Sequence, residues 1–176
     1  MKPNTLEDVF IEELRDLYDA EKQLVRALPK MAKAAKSEEL AEGLRAHLIE
    51  TNEHVVRLEK IFGMCDEKPK AKSCKAIRGL IEESSLEPRA KNALQDFAII
   101  ESGQKAEHYE IAAYGNLRTL AERLGKDDAI ALIQQTLKEE KAANAKLTEV
   151  TPAILNGAMA MVEGEEEEAD VEVTEA

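Results

Sequence analysis

The chain has 176 residues and a formal net charge of −12, with no tryptophan and only 3% aromatic residues. This length suits one domain with a substantial core, and the abundance of alanine, glutamate, lysine and leucine favours long packed helices. An acidic chain without a basic tract is not expected to bind nucleic acid, because that requires lysine and arginine to replace counterions. No secretory signal or membrane-spanning run is visible, so we expect a cytoplasmic protein that does not contact a membrane.

Apolar residues recur every three or four positions from residue 10 to residue 35, the pattern of a helix in a bundle. Thr5 is a candidate N-cap for this helix, and Pro29 is expected to kink it. Ser37 caps a second helix immediately afterwards, so the two helices are predicted to form a tight antiparallel hairpin. The second helix is expected to end at Gly63.

A polar connector follows, with a short helical segment predicted at 75–83 before Pro88 opens a third long helix. The connector is too long for a hairpin and long enough to cross the length of a bundle. Gly125 ends the third helix and Asp127 caps the fourth, which makes a second tight hairpin. Two hairpins joined by a long crossover are the connectivity of an all-α, ferritin-like four-helix bundle.

Negative charge is concentrated at the end of the chain. Residues 163–176 contain eight acidic residues and no basic one, which leaves about −4 of the −12 on the rest. A segment of that composition cannot bury a core. We therefore predict a bundle domain at 1–162 and an acidic disordered tail at 163–176.

Carboxylates occupy positions where the helical pattern calls for apolar residues. Glu21, Glu107 and Glu140 each fall on the apolar stripe of a different helix, and the remaining helix carries Glu50 and His54. Burial of a lone carboxylate is costly, and several carboxylates at one level repel each other. Cations among them would remove both costs, so the sequence predicts a dinuclear metal site inside the bundle.

Distances from the turns place these residues at matching heights. In an antiparallel hairpin, residues equally distant from the turn lie at one level. Glu21 precedes the first turn by nearly the same number of residues as Glu50 and His54 follow it, and the counts differ by at most about three. Because a helix rises about 1.5 Å per residue, the three side chains lie within a few ångströms of one level. Glu107 and Glu140 are related in the same way by the second turn. Central placement in helices of similar length predicts that the two hairpins align.

Di-iron and di-manganese bundles take one glutamate from each of two helices and Glu-x-x-His from each of the other two. Glu21 and Glu107 match the single glutamates. Glu50 and His54 match one pair, although they are four residues apart, and four residues also keep two side chains on one helix face. His47, three residues before Glu50, offers a competing pair.

The fourth helix departs from that pattern. Glu140 is followed by Ala143 and Asn144 where a histidine is expected. Asn144 could offer one neutral oxygen, which is a weaker ligand, and Glu110 could supply the missing carboxylate. Iron and manganese both suit a set of carboxylate oxygens with imidazole.

A structural interpretation competes with the metal site. A glutamate on an apolar stripe is often partly exposed, or is compensated by a buried salt bridge. The cation found on these stripes, Arg118, is about three turns from Glu107. Tyr18 could donate to Glu21 or take part in electron transfer, although a tyrosine with a satisfied hydroxyl in the core is the commoner case. Tyr114 is interpreted as packing.

Four ordered segments, at 16–24, 47–58, 107–115 and 137–144, resemble the YciE/YciF family, a bacterial stress-associated group within the ferritin-like superfamily. The similarity spans about residues 5 to 160. It implies a ferritin-like bundle that forms a homodimer and carries a rubrerythrin-like or ferroxidase-like metal site. The family pattern matches Glu21, Glu50, His54, Glu107 and Glu140. The resemblance also implies aspartate in many relatives where this chain has Asn144.

These observations predict a stress-related protein with two iron ions per chain, or manganese in their place. Its reaction would be that of a di-iron oxidoreductase of ferroxidase or peroxidase type, in which O2 or peroxide oxidises Fe(II), with a manganese-catalase-like reaction as a close variant. Its partners would be metal ions and small oxidants. The alternative is a non-enzymatic stress protein that sequesters metal or has a structural role.

Overall fold

The computed structural model describes the backbone of residues 4–85 and 93–174, which folds into five helices. They are α1 (Leu6–Ala34), α2 (Glu38–Met64), α3 (Lys75–Ser85), α4 (Ala93–Arg123) and α5 (Asp127–Thr174). No strand occurs within these two ranges, so the predicted all-α class is confirmed. None of these helices combines the length and the apolar character needed to cross a membrane.

Side-chain caps begin the helices of the first hairpin. The Thr5 hydroxyl accepts a hydrogen bond from the Asp8 backbone N–H (3.0 Å), and the Asp8 carboxylate accepts one from the Thr5 N–H (3.1 Å). The Ser37 hydroxyl accepts from the Leu40 N–H (3.3 Å). Both predicted caps are confirmed. Helix α1 continues through Pro29, and the kink expected there stays a prediction.

The other predicted boundaries differ from the structure by one or two residues. Helix α2 ends at Met64, one residue beyond Gly63, and α3 ends two residues later than predicted. Helix α5 has Asp127 as its first residue, so this aspartate is inside the helix and does not cap it. Gly125 adopts φ +66°, a left-handed conformation in which glycine has no Cβ penalty. Pro88 lies outside the described residues.

The four long helices form a closed ring. Helix α1 packs against α2 and α4, and α5 packs against the same two helices. In the described part of the chain, one apolar cluster joins the start of α1 and of α5 with the ends of α2 and α4. A second cluster joins the end of α1 with the starts of α2 and α4 and with the later part of α5. Helices α2 and α4 therefore run parallel, and the connector between them returns along the bundle.

The connector is fixed to α1 by hydrogen bonds. The Cys74 N–H donates to the Asp19 carboxylate (2.8 Å), and the Gln23 side chain donates to the Cys74 carbonyl (3.0 Å). Helix α3 follows directly and packs against α4 and α1. The Tyr109 hydroxyl of α4 donates to Asp16 of α1 (2.5 Å) beside this junction. These contacts hold α3 over one side of the bundle.

Helix α5 continues to Thr174, so the backbone of 163–174 is helical where the sequence predicts disorder. The difference has a local cause, because glutamate and alanine are good helix formers and need no core contact to favour helical backbone. Residues 175–176 lie outside the described range. The division of the chain into a bundle at 1–162 and a tail stays a prediction.

Candidate metal centre

A layer of buried ionisable side chains lies between the two apolar clusters. All four long helices contribute to it: α1 supplies one glutamate, α2 two histidines, α4 two glutamates and α5 one glutamate. Each has at most 8% of its surface exposed. The described members of this layer are Glu21, His47, His54, Glu107, Glu110 and Glu140. The predicted convergence of the two hairpins at one level is therefore present in the structure.

The first ligand group consists of Glu21, His54 and Glu140. One oxygen or nitrogen atom from each of them lies within 4.8 Å of the others. The His54 Nδ1 atom is 2.9 Å from Glu140 Oε1 and 3.4 Å from Glu21 Oε1. These three side chains come from α2, α5 and α1, and they meet where both hairpins face each other.

The second ligand group consists of His47, Glu107 and Glu140, again with one atom of each within 4.8 Å of the others. The His47 Nε2 atom is 3.2 Å from Glu107 Oε1 and 3.8 Å from Glu140 Oε2. Glu140 belongs to both groups, and its two oxygens face different histidines. A carboxylate in this position could contact a cation in each group.

The atoms of the two groups approach each other without hydrogen bonding. Both Glu140 oxygens, one oxygen each of Glu21 and Glu107, and His54 Nδ1 are buried and have no hydrogen-bond partner among the described residues. The His54–Glu140 pair is close enough for an ion pair but lacks hydrogen-bond geometry. Two atoms that each lie about 2.1 Å from one ion are about 3.0 Å apart when they bind at right angles. The nitrogen–oxygen distances within the two groups, 2.9 to 3.8 Å, fit ligand atoms that surround a cation.

Charge also favours cations in this layer. Four buried carboxylates face two imidazoles, so negative charge exceeds positive charge by two even when both imidazoles are protonated. Two divalent ions beside neutral imidazoles would balance the charge. The four carboxylates are Glu21, Glu107, Glu110 and Glu140. Unbalanced charge in an interior is too costly to persist.

The pKa values respond to the same excess of negative charge. Burial raises the pKa of Glu110 well above its usual range, and the charges of Glu140 and Glu21 raise it further. Burial also raises the pKa of Glu21 and of Glu140. Burial opposes protonation of His54, but the carboxylates of Glu140 and Glu21 outweigh it and raise the pKa of His54 to about 10. Without a bound cation, these carboxylates and His54 therefore bind protons more readily than they would in water.

The outer ring nitrogen of each histidine faces a carboxylate. His54 Nε2 is 2.9 Å from Glu139 Oε2, and the Arg57 guanidinium donates to Glu139 Oε1 (3.1 Å). His47 Nδ1 is 3.4 Å from Glu50 Oε2. Histidines that bind metal commonly donate their second N–H to a carboxylate, which fixes the tautomer and the orientation of the ring. Both histidines have this arrangement.

The structure places Glu50 differently from the prediction. Its side chain is 37% exposed, it belongs to neither group of described residues, and it supports His47 from outside. The competing histidine, His47, takes the inner position. His47 and His54 are seven residues apart and share one helix face, whereas Glu50 is rotated by about 60° from His47 toward solvent. The two histidines of α2 therefore serve different groups.

The buried Glu110 and the half-buried Asn144 belong to neither ligand group. Both Glu110 oxygens and the Asn144 Oδ1 atom lack a hydrogen-bond partner in the described part of the chain. An unpaired buried acceptor is uncommon in native proteins and calls for an explanation. That either residue completes the centre stays a prediction.

Tyr18 has the commoner of the two roles considered from sequence, that of a core residue with a satisfied hydroxyl, whereas Tyr114 contacts the first ligand group. The Tyr18 hydroxyl donates to Glu59 (2.8 Å), and its ring meets Phe62 edge-on, so Tyr18 faces away from Glu21. The fully buried Tyr114 donates to Glu21 Oε1 instead. Tyr114, interpreted from sequence as packing, therefore orients a carboxylate of the first group.

Sequence reasoning missed Glu139 and Arg57. Arg57 is buried and also donates to the Thr136 hydroxyl (3.1 Å), whereas Arg118, the cation considered from sequence, pairs with Glu122 near the surface. The position of Arg57, three residues after His54 on α2, was the available signal. Because Arg57 neutralises Glu139, it does not offset the carboxylates inside the layer.

Comparison with known proteins identifies the family. The sequence model of the family described as a domain of unknown function, DUF892, matches residues 5–160. The chain belongs to the DUF892 family. Protein YciF of Escherichia coli (strain K12) is 47% identical to this DUF892 chain over 153 residues, which cover 85% of the chain and 92% of YciF. The resemblance to the YciE/YciF family is confirmed.

Solved structures agree with this assignment. The crystal structure of the E. coli stress protein YciF matches the DUF892 chain with TM-score 0.84 and 46% identity. The match covers 88% of this chain and 99% of YciF. YcfI from Rhodopseudomonas palustris, provisionally described as a structural protein, matches with TM-score 0.80 and 44% identity over 82% and 94% of the two chains. A Xanthomonas campestris protein shares the fold at 18% identity, with TM-score 0.71 over 92% and 99%.

Proposed function

We propose that this chain is a ferritin-like stress protein whose bundle holds two iron ions in a carboxylate-rich centre and oxidises Fe(II) with O2 or peroxide. The observation that supports it most is the position of Glu140. This residue is shared by both ligand groups, with one oxygen toward each histidine, and neither oxygen has a hydrogen-bond partner among the residues described. A purely structural glutamate in a helical core would be paired.

The donor set fits iron. Glu21, His54 and Glu140 would hold one ion, and His47, Glu107 and Glu140 the other. Carboxylate oxygens with imidazole nitrogens suit iron and manganese, so manganese is the close alternative. Two divalent ions would also balance the four buried carboxylates. Tyr114, Glu139 and Glu50 would keep the ligands oriented.

The carboxylates favour oxidation. Each Fe(II) substrate ion loses one electron and gains one unit of charge, which the surrounding negative groups stabilise strongly in a dry interior. With hydrogen peroxide, two Fe(II) ions supply two electrons, the O–O bond breaks, and two protons complete two waters. With O2, the same two electrons and two protons give hydrogen peroxide. The buried Glu110, whose ionisation is opposed by the charges of Glu140, Glu21 and Glu107, would add negative charge or hold a proton.

A stopped-flow assay tests this proposal. Metal-free protein receives two Fe(II) per chain without oxygen and is then mixed with O2 or hydrogen peroxide, while Fe(III) absorbance and oxidant consumption are recorded. The wild-type chain is expected to accelerate oxidation, and Glu140→Ala to lose the acceleration because both groups share this residue. Glu149→Ala, an exposed position on the same helix, is the matched control. Equal rates for Glu140→Ala and the wild type would contradict the proposal.

A non-enzymatic role is the second candidate, and the provisional structural description of the 44% identical YcfI favours it. In that case the same residues sequester metal without faster oxidation. Metal bound at two per chain together with an uncatalysed oxidation rate would select this role. The homodimer and the cytoplasmic location belong to the proposal through the family resemblance, and sedimentation of the purified chain tests the first.

A further inference from the structure

An apolar cavity opens beside the second ligand group. It contains about 790 Å³ of space between atoms, its open mouth included, and it lies between the four long helices and α3. Apolar side chains form most of its wall, among them Leu28, Leu44 and Leu147. His47 and Glu107 also line it. The cavity therefore reaches the ligands of one ion.

The charges around the cavity disfavour an anion. Its lining contains three acidic side chains, Glu39, Glu50 and Glu107, against one lysine, Lys146, and the imidazole of His47. A fatty-acid carboxylate would be repelled at the end nearest Glu107. A neutral molecule with an apolar body matches both the walls and the charge.

We propose that this cavity binds a neutral organic hydroperoxide, with its apolar body against the aliphatic wall and its hydroperoxide group toward His47 and Glu107. This inference rests on the proposed function and names the class of its oxidant. Hydrogen peroxide and O2 carry no hydrocarbon group that an aliphatic wall would contact. Apolar walls add binding free energy for an oxidant that carries a hydrocarbon group.

The reaction balances with the same two electrons. Two Fe(II) ions each lose one electron, and the O–O bond of the hydroperoxide accepts both. The terminal oxygen keeps its own hydrogen, takes up one proton and leaves as water. The oxygen that remains on the organic body takes one proton, and an alcohol forms. The overall change consumes one hydroperoxide, two Fe(II) ions and two protons, and gives one alcohol, one water and two Fe(III) ions.

Gly43 provides a way to fill the cavity. It lines the cavity on α2, and a Cβ built at this position has no described atom within 4 Å. The leucine of a Gly43→Leu variant would enter open space, and leucine favours helix more than glycine does. Gly63 lies on the same helix outside the cavity lining, likewise with no described neighbour within 4 Å of an added Cβ. Gly63→Leu is therefore the matched control.

Two measurements on the full chain test the inference. The first is fluorescence titration of the metal-free protein with the neutral dye N-phenyl-1-naphthylamine, displaced by 1-decanol or by decanoate. The second is stopped-flow oxidation of bound Fe(II) by cumene hydroperoxide and by hydrogen peroxide. We expect Gly43→Leu to weaken dye binding and to slow the cumene hydroperoxide reaction by about tenfold or more, because the added leucine occupies space that the ligand needs and a ligand beside it would be overpacked. The hydrogen peroxide rate and both results for Gly63→Leu should stay unchanged.

The outcomes separate this inference from the function on which it rests. If hydrogen peroxide oxidises the iron but cumene hydroperoxide does not, the inference is wrong and the proposed function stands. The same holds if Gly43→Leu slows both oxidants equally, or if decanoate displaces the dye better than 1-decanol. If neither O2 nor either peroxide oxidises Fe(II) faster in the wild type than in the Glu140→Ala protein, the proposed function fails and the inference fails with it.

Discussion

Replacing Glu110 with glutamine distinguishes a metal centre from a structural network. The Glu110 side chain is 1% exposed, and neither carboxylate oxygen has a hydrogen-bond partner in the ranges that the structure describes. The neighbouring charges of Glu140 and Glu21 oppose its ionisation. Glutamine keeps the shape, removes the charge, and offers an N–H donor to a nearby carboxylate. Without metal, Glu110→Gln should therefore stabilise the fold.

The size of the effect follows from the burial. A buried polar group without a partner costs about 1–3 kcal/mol, and 1 kcal/mol corresponds to about 2–4 °C in melting temperature for a chain of this size. Metal-free Glu110→Gln should melt about 2–12 °C above the wild type by these values. Bound metal should narrow this difference in melting temperature. At a metal concentration about 100 times Kd, binding stabilises the wild type by about 2.7 kcal/mol, and the variant, with one negative charge fewer, gains less.

Differential scanning calorimetry with and without Fe(II) under anaerobic conditions measures both effects. Glu101→Gln is the control, because Glu101 lies on the same helix at the surface and pairs with Lys105 (3.2 Å). Such a surface pair contributes little, so the control should melt like the wild type in both conditions. If metal-free Glu110→Gln melts below the wild type and Fe(II) shifts neither protein, Glu110 supports the fold and our reasoning is refuted.

Three further predictions use other parts of the molecule. Glu139→Gln should weaken metal binding by about 10–100-fold in a chelator competition, because Glu139 orients His54; unchanged affinity would remove Glu139 from the centre. Tyr18→Phe should leave metal content and oxidation rate unchanged, since its hydroxyl bonds Glu59, and a lost reaction would restore its predicted redox role. Asp96→Ala should lower the unfolding free energy by about 2–5 kcal/mol with or without metal, because the buried Asp96 accepts from two backbone N–H groups of the α1–α2 turn (2.6 and 2.8 Å). Urea unfolding measures that loss, and a change below about 1 kcal/mol would contradict it.

The parts of the site that lie within one hairpin could be predicted from the sequence. A tight turn fixes the height of each residue on both of its helices, so the approach of Glu21 to His54 follows from counting residues. The alignment of the two hairpins depends on the connector. The connector sequence has no regular apolar pattern, so its path along the bundle could not be predicted. Their meeting at Glu140 was therefore expected only from central placement, and the structure shows it.

Choices between neighbours on one helix could not be made from sequence. Glu50 and His47 differ by less than one turn, and the packing of α2 against α1 and α5 decides which of them points inward. Tyr18 and Tyr114 each lie near a glutamate of the stripe, and only the crossing of α1 and α4 brings Tyr114 to Glu21. The pairing of Arg57 with Glu139 likewise joins two helices across the bundle.

The metal content of the chain purified from its native host tests the central claim most directly. Elemental analysis should find about two ions of iron or manganese per chain in the wild type. Glu21→Ala and Glu107→Ala each remove a ligand from one group and should lose that metal while remaining helical by circular dichroism. No bound metal in the wild type, with both variants equally stable or more stable, would contradict a dinuclear centre and leave the buried carboxylates with a structural role.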